Sequence, residues 1–189
     1  IGDWSSDVCS SDLVELGINV PTGKDSMSMK QKYKTGEVLS PGTVIISATA
    51  EVSDVSKCVE PFFKKFNSNI YYIDMSSCVL NLGGSALMQS NNKIGNKSND
   101  ILNAKYFKKV FNVIQKLITD EKIYSGHDVS SGGLITTILE MSFVSSRIGL
   151  ELFLNEFDEN DLIKILFAEN HALVIEAEKT IESHFIDNN

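Results

Sequence analysis

Between residues 103 and 120, apolar side chains return every three or four positions, at Phe107, Val110, Phe111, Ile114, Leu117 and Ile118. That spacing predicts an amphipathic helix. Residues 134–143 carry a second helical pattern, and Leu162, Ile165, Leu166 and Phe167 carry a third. Strands are expected where β-branched and small apolar residues run together: 43–52 (TVIISATAEV), 70–75, a segment opening at Gly149, and 172–175. Ser53-Asp54 offers an N-cap to a helix bearing Val55, Val59, Phe62 and Phe63 on one face, which Asn67-Ser68-Asn69 ends. Residues 21–26, 34–37, 40–42, 90–99 and 124–133 are polar or glycine-bearing and read as turns and loops. Strands alternate with helices and no segment repeats, so the fold class is α+β or α/β.

Composition changes this picture little and charge narrows it. The balance of 17 Lys+Arg against 25 Asp+Glu gives a net charge of -8, so no positive field is available to attract a nucleic-acid backbone. No apolar run approaches the roughly 18 to 20 residues that cross a bilayer, and a cytoplasmic chain without membrane or nucleic-acid partners is expected. Three cysteines (9, 58 and 78) make an odd number without metal-ligand spacing, which fits a reducing compartment. Residues 1–13 stand apart: a doubled Ser-Ser-Asp and the only Trp lie in a segment with neither helical nor strand period. The segment resembles a translated sequencing-adapter oligonucleotide, so the natural chain is expected to begin near Val14.

Three loops carry the candidate chemistry. In Gly126-His127-Asp128-Val129-Ser130-Ser131-Gly132-Gly133-Leu134, a carboxylate, a hydroxyl and two glycines precede a predicted helix. Backbone N–H groups at the helix start can hold phosphate, and Asp128 offers a hard oxygen to Mg²⁺. Equally, Ser130 or Ser131 can simply cap the helix while Asp128 stabilises its dipole, and spacing leaves both readings open. Gly23-Lys24-Asp25-Ser26 can bring an ammonium to phosphate oxygens or form a polar surface turn, and its spacing is not that of a Walker A loop. Gly83-Gly84-Ser85 can be a phosphate nest, or a bulge that lets the chain pack closely. His171 and His184 have no Cys or carboxylate at metal-ligand spacing.

Taken together, Leu16-Gly17-Ile18-Asn19-Val20-Pro21-Thr22-Gly23-Lys24-Asp25-Ser26-Met27-Ser28-Met29-Lys30, Leu82-Gly83-Gly84-Ser85-Ala86-Leu87 and His127 to Leu134, followed by Leu139-Glu140-Met141-Ser142-Phe143, resemble the large, single-chain phosphoribosylformylglycinamidine synthases in order and approximate spacing. The resemblance implies ATP-dependent conversion of formylglycinamide ribonucleotide to the amidine with glutamine-derived ammonia, in purine biosynthesis. It implies Asp128 as a magnesium ligand, Ser130 as a nucleotide contact, and Lys24, Asp25 and Ser26 as part of a loop lining the ATP and substrate region. Val129, Ser131 and Asn81 depart from the Arg, Asp and Arg common in that family. The resemblance further implies residues 14–66 as the end of a nucleotide-binding domain and 67–189 as most of the domain that follows it. The rest of the synthetase and a glutaminase with its Cys nucleophile would lie elsewhere in the parent chain. An aminoimidazole ribonucleotide synthetase or selenophosphate synthetase shares the fold and the use of ATP, but the Gly-Lys-Asp-Ser-Met-Ser-Met run argues against both. A non-catalytic nucleotide-holding module is the remaining alternative.

Overall fold

A computed structural model describes residues 13–18, 30–39, 49–65, 68–144, 149–179 and 181–186. The chain divides into two compact units, Ile1–Ser53 and Asp54–Asn189. Lys24, Asp25 and Ser26, residues 1–12, and residues 43–48 of the expected strand lie outside the described residues.

In the first unit, residues 13–16 form a helical turn closed by the Ile18 N–H on the Leu13 carbonyl at 2.8 Å. Strands β1 (Lys30–Tyr33) and β2 (Gly36–Leu39) pair antiparallel, with Tyr33 opposite Gly36 across the expected turn. Every residue of both strands is exposed, and KQKY paired with GEVL has no alternation that would have announced them. Residues 49–52, the described part of the expected strand, form none.

The second unit is built on a three-stranded antiparallel sheet of β3 (Asn69–Asp74), β4 (Ile123–Asp128) and β5 (Ala172–Ala177), with β5 in the centre. Its helices are α1 (Ala86–Ser90), α2 (Ala104–Thr119), α3 (Gly133–Ser142), α4 (Leu162–Phe167) and α5 (Glu182–Ile186). Successive side chains of a strand point to opposite faces, and β5 uses both. Ala172 and Val174 join Leu134, Ile138 and Met141 of α3 and Ile165 of α4 in one core. Ile175 and Ala177 join Val110, Ile114 and Leu117 of α2 and Ile181 in the other. The helical spacing in 103–120 thus marks the face that α2 buries, except at Phe111, which is exposed, and the Asn103 side chain caps the helix by accepting from the Tyr106 N–H at 3.0 Å.

Four expectations need correction. The helix expected after Ser53 shrinks to a 3-10 turn at Val55–Lys57, capped by Asp54. Pro61 would interrupt any longer helix, and the chain is instead drawn onto the sheet, Glu60 bridging to Ser125 of β4. Residues 124–128, read as loop, belong to β4. Its Tyr-Ser-Gly-His-Asp composition is poor for a strand, but pairing along β5 holds it, with a register irregularity between Ile123 and Ser125. The segment from Gly149 is extended rather than laddered: Leu150, Leu152 and Leu154 pack against the α3 core without forming a strand. Last, β5 runs on to Ala177, past the expected end at Ile175.

That extension buries Glu176, which is 0% exposed. One of its oxygens accepts the Lys65 N–H and the Ser68 hydroxyl, at 2.8 and 2.5 Å. The other accepts the Lys64 N–H and the Ser125 hydroxyl, at 2.8 and 3.0 Å. Burial pushes the carboxyl upward, and these four hydrogen bonds outweigh it and hold Glu176 below the ordinary glutamate value.

Candidate functional site

Strand β4 delivers Asp128 to the surface, and the next residue anchors the chain again. Val129 is buried and its N–H donates to the Ala172 carbonyl at 2.8 Å. The Asp128 side chain is 72% exposed. Ser130 and Ser131 are exposed, and the chain then enters α3 through two left-handed glycines, Gly132 at φ 95° and Gly133 at φ 73°. Gly132 is the N-cap, so the helix has no cap bond from the side chain of its own N-cap residue. The reading of Ser130 or Ser131 as cap is therefore set aside, and Asp128 does not cap the helix either.

His127 stands behind the carboxylate. Its Nδ1 is 2.7 Å from the Asp128 carbonyl oxygen and 3.4 Å from Asp128 Oδ1, and its Nε2 is 3.6 Å from Glu140 Oε2 on α3. An Nδ1–H donating to that carbonyl fixes the ring's orientation. The Thr137 hydroxyl, buried, lies 3.4 Å from the same carbonyl and 3.2 Å from that of Gly133.

The second loop precedes α1 and is turned toward the chain itself. The Gly83 N–H donates to the Lys97 carbonyl and the Gly84 N–H to the Ile94 carbonyl, both at 2.7 Å. A Cβ on Gly83 would fall 2.1 Å from the Lys97 carbonyl oxygen. Buried Ser85 caps α1, its hydroxyl accepting from the Met88 N–H at 3.3 Å. Close approach to the Lys97 backbone thus accounts for Gly83 and a left-handed backbone at φ 76° for Gly84, and both N–H groups are already engaged.

The residue that brings the two loops together is one the sequence did not single out. Glu169, between α4 and β5, accepts two hydrogen bonds on Oε1, from the Ala86 N–H and from the Gly132 N–H, each at 2.8 Å. Its neighbour Asn170 is fully buried and donates to the Cys78 carbonyl at 3.1 Å, fixing the same corner. The signal available was a charged and an amide residue wedged between an apolar helix and an apolar strand, a place where polar side chains persist only with partners.

Among the described residues, no three His, Cys, Asp or Glu side chains gather to hold a metal ion. Asp128 offers one exposed, hard oxygen, which suits an ion such as Mg²⁺ that retains water and is completed by substrate phosphates, and not a closed protein cage. Also among the described residues, no helix is long and apolar enough to cross a membrane.

Residues 70–184 match the family described as AIR synthase related protein, C-terminal domain. Residues 5–51 match the FGAR-AT PurM_N-like domain, a span that takes in part of the segment that reads as foreign. The chain is 39% identical over 175 residues to a probable phosphoribosylformylglycinamidine synthase, chloroplastic/mitochondrial, of Arabidopsis thaliana, covering 90% of this chain and 12% of the relative. It is 37% identical over 188 residues to the phosphoribosylformylglycinamidine synthase of Dictyostelium discoideum, covering 93% of this chain and 14% of that protein. The chain therefore spans only a small part of the length of these relatives.

Proposed function

The chain belongs to the AIR synthase related proteins through their C-terminal domain, and from that premise we propose that it is a segment of the ATP-dependent synthetase region of a phosphoribosylformylglycinamidine synthase. The parent reaction is the transfer of glutamine-derived ammonia to formylglycinamide ribonucleotide at the expense of ATP, in purine biosynthesis. The observation that carries the reading is the exposed carboxylate of Asp128, at the end of a sheet strand and directly before a glycine-entered helix, within a stretch alignable to relatives of that name.

In this reading, Asp128 would hold Mg²⁺ and the Ser130 hydroxyl would donate to a nucleotide phosphate. His127 holds the Asp128 backbone, steadied in turn by Glu140. Lys24, Asp25 and Ser26, which lie outside the described residues, are further candidates for nucleotide or substrate contacts on the strength of the sequence resemblance alone. When bound, Mg²⁺ neutralises charge on the phosphoryl group passing to the amide oxygen. Ammonia, the acceptor ribonucleotide and the glutaminase are met through the rest of the parent chain. The 189-residue chain alone is accordingly expected to form no formylglycinamidine ribonucleotide from glutamine, ATP and substrate in a discontinuous product assay.

Calorimetric titration of the chain with ATP, with and without Mg²⁺, tests the site. Binding is expected to depend on Mg²⁺, and Asp128→Asn to weaken the Mg²⁺-dependent component at least about tenfold. Thermal stability should stay unchanged, because Asp128 neither caps α3 nor is buried. Equal Mg²⁺-dependent affinity in the two proteins would end the metal assignment.

A further inference from the structure

Two segments far apart in sequence, the 82–86 turn and the 128–133 loop, meet at a single atom. Glu169 Oε1 lies 2.8 Å from the Ala86 nitrogen and 2.8 Å from the Gly132 nitrogen, so the two nitrogens are held within twice that distance of each other. Neither donor is replaceable by rotation, since both are backbone. On one side, Ala86 opens α1, whose own cap is buried Ser85. Across the contact, Gly132 is the N-cap of α3 and has no side chain to cap it, so Glu169 supplies from outside the loop the acceptor that Ser130 and Ser131 do not. The reach is set as well. Glu169 follows Ala168, whose N–H closes α4 on the Lys164 carbonyl, and precedes Asn170, which is buried, so the backbone bearing the carboxylate is fixed at both ends.

We propose that Glu169 is a positioning residue of this site: by holding the Gly132 N–H against the Ala86 N–H it sets the conformation in which the 128–133 loop presents Asp128 and Ser130. The proposal rests on the reading of that loop as the metal and nucleotide loop. What it requires of residue 169 is an acceptor oxygen at glutamate reach, not a negative charge. Glutamine keeps both the reach and an acceptor oxygen, aspartate keeps the charge and loses the reach, and alanine loses both.

The three variants separate the role from its rivals. In the ¹⁵N-labelled 189-residue chain, amide exchange at Ala86 and Gly132 and the affinity for Mg²⁺ with ATP are measured for wild type, Glu169→Gln, Glu169→Asp and Glu169→Ala. Exchange at both amides is expected to rise about tenfold or more in the Asp and Ala variants and to stay within about threefold of wild type in the Gln variant, with Leu117 and Val174 unchanged as reporters of the folded core. Mg²⁺–ATP affinity should follow the same order. A Gln variant as impaired as the Ala variant would mean that charge and not position matters, and overturns the proposal. So does an Ala variant that exchanges and binds like wild type. If wild type itself binds no nucleotide, the nucleotide reading fails separately. Positioning is then decided by the Val129 and Ser130 amide shifts, which move in the Asp variant and return in the Gln variant if Glu169 sets the loop, and stay put in both if it does not. Should the Ala variant not fold, the contrast between Asp and Gln decides alone.

Discussion

Glu176→Gln is expected to destabilise the chain by about 2 to 4 kcal/mol, a large share of the roughly 5 to 15 kcal/mol that holds a domain together. The side chain keeps its size, so packing is not the cause. One carboxylate oxygen faces the Lys65 N–H and the Ser68 hydroxyl, the other the Lys64 N–H and the Ser125 hydroxyl. A glutamine must point its NH₂ at one of these pairs. The hydroxyl can turn and accept, but the backbone N–H cannot, and a buried donor is left facing a donor. The bonds that survive lose their charge assistance. Urea unfolding at pH 7 measures the difference. A loss below about 0.5 kcal/mol would show that Lys64, Lys65 and Ser68 are held to the sheet by other means.

The same side chain gives the pH dependence a sign. The folded carboxyl is held below its ordinary value, so the stabilisation is complete above the unfolded value of about 4.3 and drains away as pH falls through the folded one. The gap between wild type and Glu176→Gln should therefore be full at pH 7 and narrow at and below about pH 4. A gap that widens on acidification would contradict the lowered value.

How far residues announce such roles depends on whether their partners are near in sequence. The α2 stripe was legible because a helix buries a face at its own period, and Val110, Ile114 and Leu117 are the residues it hides. Glu176 was not, because a carboxylate one step past Ala172 to Ile175 reads as the solvated end of a strand until Lys64, Lys65 and Ser68 donate to it. Strand β4 was hidden for a related reason: its composition is that of a loop, and only the ladder with β5, a partner far along the chain, makes it a strand. At the candidate site, the place of Asp128 at the mouth of α3 followed from local order, since the glycine-bearing loop and the helix are consecutive. Glu169 was invisible locally. Its two donors come from loops that the sequence treats as separate motifs, and nothing in Phe167-Ala168-Glu169-Asn170 says that they converge on it.

The glycines of the site loop carry the last expectation. Gly133→Ala should destabilise by about 2 to 5 kcal/mol, the sum of a left-handed backbone that a Cβ resists and a collision that cannot be relieved locally. At φ 73°, a Cβ on Gly133 would stand 2.7 Å from the Leu166 carbonyl oxygen and from two Phe167 backbone atoms, so α4 itself would have to move. Gly132→Ala is the control. It has the same handedness, at φ 95°, and its Cβ would meet the Thr136 side chain, whose Oγ1 at 2.2 Å can turn away but whose Cβ at 2.8 Å can yield only by a few tenths of an ångström of backbone movement in the first turn of α3. Its cost should exceed the backbone share of about 1 to 2 kcal/mol by that small adjustment and stay below the cost of Gly133→Ala, where every nearest atom is backbone of another helix. Thermal or urea unfolding of the two variants side by side gives the order. Read from sequence, both glycines were alike, each a place where backbone approaches a phosphate. If Gly133→Ala proves no worse than Gly132→Ala, the close packing of α3 on the end of α4 is not what that glycine is for, and room for a ligand at the helix entrance becomes the better account of it.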